Sequence, residues 1–131
     1  TGPDGAPHLA AVWGCWRDGA FVFSTGGSSR KARNLAADPR CVVTPEHAGE
    51  SVVVEGTARR VTDPAALATL LAAYTDKYGS GFPDPLTHPV FAVQPRVAFA
   101  VVEQEPMFSR SATRWRFSTP SPPADRDGPA P

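Results

Sequence analysis

The stretch "SVVVEGTARRV", Ser51 to Val61, is the feature that most constrains the fold. Its β-branched residues are stiff at χ1 and pack well on a pleated surface, so the run reads as a strand. It is longer than most strands, and Gly56 inside it marks a bulge or a close approach of another backbone. Such a strand needs partners, and the chain supplies several shorter apolar runs. "HLAAVWGCW" (His8 to Trp16) is followed by the hairpin turn signal Arg17–Gly19 and a returning strand, "AFVFST". "RCVVT" is another. "VFAVQP" and "RVAFAVVE" give two more around Pro95, and "TRWRF" (Thr113 to Phe117) a last short one.

Two helices interrupt these strands. "SRKARNLAAD" is short, with Ser28 or Ser29 able to cap its start and Asp38-Pro39 stopping it. The second has Asp63 as cap, Pro64 in its first turn, Leu67, Leu70, Leu71 and Tyr74 at helical spacing, and Gly79 past its end. Six or so strands with two helices predict a mainly β, α+β fold, and a small closed barrel rather than a sandwich. The strand–helix–strand order recurs too rarely for a doubly wound sheet.

A length of 131 residues allows one domain. Residues 1–117 carry the domain pattern, and 118–131 are a Pro-rich tail almost without apolar residues. The opening "TGPDGAPH" reads as a turn leading into a strand, so an N-terminal element is expected to be missing from this sequence. Thirteen Lys and Arg balance thirteen Asp and Glu, so no whole-chain field attracts nucleic acid or an acidic membrane. Cys15 and Cys41 lack the spacing of a zinc site or a disulfide scaffold. No apolar run has the length of a membrane span and no signal peptide is visible, so the expected location is the cytoplasm.

Within this neutral chain the cluster Arg30, Lys31 and Arg33 stands out, directly after "FSTGGSS". It is either a solvated helix face or an anion seat. A helix start presents unpaired amides and partial positive charge. The hydroxyls of Ser24, Thr25, Ser28 and Ser29 add neutral donors, Arg30 and Lys31 add charged ones, and the glycines allow close approach. No Walker loop and no GxGxxG motif is present.

The ordered pieces "DGAPHLAAVW", "DGAFVFSTGGSSRKARNLAADPRCVV" and "SVVVEGTARRV" resemble the pyridoxamine 5′-phosphate oxidase-like superfamily, from about Gly5 to Phe117. The resemblance implies a six-stranded split barrel, a homodimer, and two cofactors at the subunit interface. It implies that Arg30 and Lys31 hold a cofactor phosphate, that Ser24, Thr25 and Ser29 add hydroxyl contacts, and that Val12, Trp13 and Gly14 lie along the ring system. Trp115, with Arg116 or Arg114, would reach the cofactor from the partner subunit. Ser51 stands where true pyridoxamine phosphate oxidases have a flavin-contacting glutamine, and the longer C-terminal segment that holds their substrate phosphate is replaced here by the tail. The resemblance therefore implies cofactor binding rather than vitamin B6 oxidation.

The implied cofactor is FMN, or alternatively the deazaflavin coenzyme (factor 420), whose glutamate tail would want further cations such as Arg33, Arg59, Arg60 or Arg96. A flavin carries hydride itself, so no catalytic triad is required. The implied activity is oxidoreduction of a small organic substrate. A cofactor-storing protein and a cofactor-free interaction barrel are the other classes, and the basic seat together with Trp115 argues against the last.

Other residues have plainer readings. Trp13 and Trp16 should face opposite sides of a strand, one of them in the core. Cys15 and Cys41 read as small buried hydrophobes, Tyr74 and Tyr78 as packing. His8, His47 and His88 suit surface or capping roles rather than a metal site. Asp84, His88 and the surrounding prolines form a loop over the pocket or a simple structural turn.

Overall fold

The chain was analysed as a computed structural model, which describes residues 1–46 and 49–118. The tail from 119 onward and His47 lie outside the described residues.

The first hairpin joins β1 (Gly14–Arg17) to β2 (Ala20–Ser24). Asp18 and Gly19 both take positive φ, 49° and 76°, which matches the twist that a two-residue hairpin turn requires. β2 leads through Thr25–Ser29 into α1 (Arg30–Ala37), then β3 (Arg40–Val43) and β4 (Glu50–Val61). Ser29 is the N-cap of α1. At its other end Arg40 hydrogen-bonds Asp38 at 2.7 Å, which holds that carboxyl well below the usual carboxylate range. α2 (Pro64–Tyr78) starts on an Asp63 cap with Pro64 in its first turn and stops at Gly79, whose φ of 72° permits the left-handed cap. β5 (Val90–Val102), a short α3 (Phe108–Ser111) and β6 (Thr113–Arg116) complete the order.

The six strands form one antiparallel sheet, β1-β2-β5-β4-β3, with β6 added to β5. β4 pairs along the whole of β5. On the other edge of β5, β2 takes Val90–Val93 and β6 takes Val97–Ala100. Between these stretches the register shifts. Gly56 faces Pro95 and Glu55 faces Val97, so Arg96 is the extra residue of a bulge. The bulge accommodates a proline within a strand that pairs on both edges. Val90–Glu103 was expected as two strands broken at Pro95, and it is one, because the bulge absorbs the missing donor.

The two longer helices each cover one face of the sheet. Under α2, Leu70 and Tyr74 pack with Cys15, Val22 and Val90. Under α1, Ala32 packs with Phe23, Ala58, Phe91 and Val93. Val22, Val90 and Val93 are the largest fully buried side chains, each worth about 1.5–3 kcal/mol of apolar burial. Tyr74 and Tyr78 are packing residues, their rings 4.6 Å apart.

Three expectations need correction. Among the described residues the sheet is not a closed barrel. β1 and β3, the edge strands, do not pair, and with four residues each they offer few rungs for closure. The described residues hold three helices rather than two, α3 being a single turn. The strand expected over His8–Trp16 is confined to Gly14–Arg17, because beyond Ser24 the partner strand turns into α1 and leaves His8–Trp13 nothing to pair with.

Candidate functional site

The turn between β2 and α1 is tied down before any ligand is considered. The Ser24 hydroxyl donates to the His88 carbonyl at 3.0 Å, and the Gly27 amide donates to the Thr87 carbonyl at 2.9 Å. The loop carrying His88 is itself wound on Asp84, whose carbonyl accepts from the amides of Thr87 and His88. The loop of Asp84 and His88 is thus the structural turn of the two alternatives, buttressing the start of α1 from the side. A side chain on Gly27 would begin 3.3 Å from the Thr87 carbonyl oxygen, which explains a glycine at that close approach.

Counting donors shows what remains for an anion. The only hydroxyl hydrogen of Ser24 is spent on His88, so Ser24 tethers the turn. Thr25 and Ser29 share a hydrogen bond of 3.2 Å, and the Ser29 oxygen also accepts from the Ala32 amide. Of the two hydroxyl hydrogens in that pair, one is left over. In the first turn of a helix the amides lack intrahelical partners. Ala32 is served by Ser29, and those of Arg30 and Lys31 remain. Neither the Arg30 nor the Lys31 side chain pairs with a carboxylate among the described residues. Arg33 turns back to the Ser28 carbonyl. Two amides, one hydroxyl and two unpaired cations therefore surround the start of α1, a donor set that fits a phosphate.

The other expected residues are spread more widely. Val12 packs against the cluster under α1. Trp13 is 68% exposed and stacks on Tyr78 of α2, ring centroids 5.5 Å apart. Trp16 lies edge-on to Phe21 and is 54% exposed, so the two tryptophans do diverge but neither is core. The reason is that β1 is a short edge strand: only the last turn of α2 reaches it, at Gly14, which leaves the outer side of Trp13 and most of Trp16 open. Gly14 exchanges hydrogen bonds with the Tyr78 hydroxyl and accepts from Lys77 at 2.7 Å. Cys15 is buried, and burial pushes the half-buried Cys41 thiol up, away from the reactive thiolate form.

Ser51 lies in a second place. With Phe99, Val101, Thr113 and Arg114 it lines a mainly apolar groove of about 290 Å³, where the Arg114 guanidinium sits 5.0 Å over the Phe99 ring. Ser51 pairs with Val101, whereas Ser24 meets Val90, the partner of Val61. The groove and the α1 turn are thus separated by the length of β4 from Val61 to Ser51, roughly 33 Å at 3.3 Å per residue. Trp115 stands opposite Ala98 and is 46% exposed, with Arg116 opposite Val97. Sequence reasoning missed Asn34 altogether. It is a buried polar residue of α1, 6% exposed, that meets the His8 ring at 3.3 Å. Its signal was a polar residue placed one helical turn after Arg30.

A six-stranded antiparallel sheet with a cluster of free amides and cations at the start of a crossing helix is the class that fold and site define. The sequence model of the pyridoxamine 5′-phosphate oxidase family matches residues 1–117, and the chain belongs to that family. Among solved structures the chain is similar to a conserved hypothetical protein of Mycobacterium tuberculosis, at 28% identity over 74% of this chain and 69% of that one, with a TM-score of 0.58. It shares its fold with an F420 reductase (23% identity, 74% of this chain and 82% of that one, TM-score 0.56). It does so too with a heme binding protein from Mycobacterium smegmatis (24%, 76% and 45%, TM-score 0.57). A search of curated proteins finds no match. Among the described residues no helix is long and apolar enough to cross a membrane.

Proposed function

We propose that this protein binds FMN with its phosphate at the start of α1, and that it is an oxidoreductase passing hydride to or from a small organic substrate. The carrying observation is the donor set at that turn, two cations without a carboxylate partner beside free amides and a spare hydroxyl. Family membership supports the flavin, since the same positions carry the resemblance. The flavin, when bound, supplies the redox chemistry. The protein's part is to hold and orient it. Arg30, Lys31 and the Thr25–Ser29 pair take the phosphate, while Val12 and Gly14 wall the approach from the β1 side.

Ser51 and Arg114 lie at the far end of the sheet from the α1 turn, and Trp115 and Arg116 are seven to eight residues along β5 from Val90, which speaks against one chain bringing all four to the same ligand. The reading therefore includes a homodimer in which the second copy brings these residues to the cofactor. The deazaflavin coenzyme is the second reading. It is favoured by Arg60, which stands opposite Phe91 on the face that α1 covers and extends the positive charge toward a glutamate tail.

The test is a titration of cofactor-stripped protein with FMN, the deazaflavin coenzyme, riboflavin and heme, followed by tryptophan fluorescence. Tight binding of FMN or the deazaflavin, and weak binding of riboflavin, is expected. Lys31→Ala should weaken binding by about 1.5–3 kcal/mol, the scale of a charge-assisted hydrogen bond. Binding of riboflavin as tight as FMN, or heme alone, would overturn the reading. Tight binding without turnover of any reductant would leave a cofactor-holding protein.

A further inference from the structure

The segment ahead of β1 is laid along α1 in chain order. Gly2 lies beside the Arg30 guanidinium, whose Nη2 is 3.4 Å from where a Gly2 side chain would begin. His8 meets Asn34 at 3.3 Å, and Val12 packs in the cluster that holds Leu35. Asn34 is one helical turn from Arg30 on the same face. His8 therefore sits one turn below the anion seat, on a side chain that is itself buried.

With the Asn34 amide nitrogen toward the ring, His8 Nδ1 accepts and the imidazole is the neutral Nε2–H form; with the amide oxygen toward it, a protonated Nδ1 donates. Partial burial holds its pKa below the ordinary value, and the nearby charges of Arg30 and Lys31 press it the same way. The segment's own carboxylate, Asp4, accepts from the Ala6 amide and keeps its negative charge on the Gly2 side of Arg30, beyond ion-pair distance. An anion at Arg30 and Lys31 reverses the field that His8 feels. The Asn34 amide has both a donor and an acceptor, so by turning it can hold either form of the ring.

We propose that His8 is a further residue of the anion seat: held by Asn34, it takes up a proton when a phosphate-bearing ligand binds at Arg30 and Lys31, so that binding and protonation are coupled. The inference rests on the reading of that seat. The sign follows from linkage. A proton bound with the ligand means affinity rises as pH falls through the ligand-bound pKa of His8. The phosphate's own second ionisation, near pH 6, acts in the opposite direction.

The experiment measures FMN affinity of the full chain between pH 5.5 and 8.5 for the unaltered protein, His8→Gln and Lys31→Ala. The His8 ring is followed by NMR with and without FMN. His8→Gln keeps an acceptor for Asn34 but cannot titrate. The expected result is a His8 pKa that rises on FMN binding, and several-fold tighter binding at pH 6.5 than at 8 beyond whatever pH dependence His8→Gln retains. A His8 resonance that titrates identically with and without FMN, or a pH profile unchanged in His8→Gln, overturns the inference alone if Lys31→Ala still loses affinity. Unchanged affinity in Lys31→Ala overturns the seat, and the inference with it.

Discussion

At Gly56 a single missing side chain decides a register. A Cβ there would begin 2.5 Å from the Gln94 carbonyl oxygen and 2.7 Å from Val93 Cγ1, so β4 and β5 could not keep their present approach. Gly56→Ala should cost about 1–3 kcal/mol, the usual range for overpacking. Urea unfolding should show a lower midpoint at unchanged slope. An unaltered midpoint would mean that the bulge yields. The sequence signalled the bulge through a glycine in a β-branched run, but not that its extra residue is Arg96 on the neighbouring strand, because pairing partners are non-local. The same limit explains Trp13, Trp16 and Asn34. Their types were plain, whereas the edge that leaves the tryptophans exposed and the loop that brings His8 to Asn34 depend on contacts far apart in the chain.

At the level of elements, local chemistry was the better guide. Asp63, Pro64 and Gly79 bound α2 as expected, and α1 resolves its cap in favour of Ser29. Ser29→Ala removes the acceptor for the Ala32 amide and should destabilise the protein by about 1 kcal/mol, the ordinary value of an N-cap. Thermal unfolding gives the check, and Ser28→Ala is the control expected to show no such loss. Equal effects would mean that Ser29 is not the cap. β5 shows where local rules gave way. Pro95 reads as a break in isolation, yet β4 on one side and the shared edge of β2 and β6 on the other hold the strand through it.

For the whole molecule, the basic seat and the Ser51–Arg114 groove lie at opposite ends of the β4–β5 ribbon. A cofactor that needs both requires two copies, and the exposed Trp115, Phe117, Met107 and Phe108 at the groove end are the surfaces left for the second. Sedimentation velocity is expected to give twice the mass of one chain. Phe99→Asp, in the groove, should shift it toward the monomer and lower FMN affinity together. A monomer that binds FMN tightly would refute the two-copy arrangement.

The Arg96 bulge carries one more consequence, concerning parity. Up to Pro95 the odd-numbered residues of β5, Phe91 and Val93, face α1. After the extra residue the odd-numbered Val97, Phe99 and Val101 stand opposite Glu55, Val53 and Ser51, on the side of β4 that also carries Val61 and faces α2. The two halves of the strand are thus written in opposite phase. A one-residue deletion between Pro95 and Val97 would exchange the exposed and covered sides of everything beyond it, turning Phe99 inward and the alanines outward. In that half of the sheet, the count of residues matters as much as their kind.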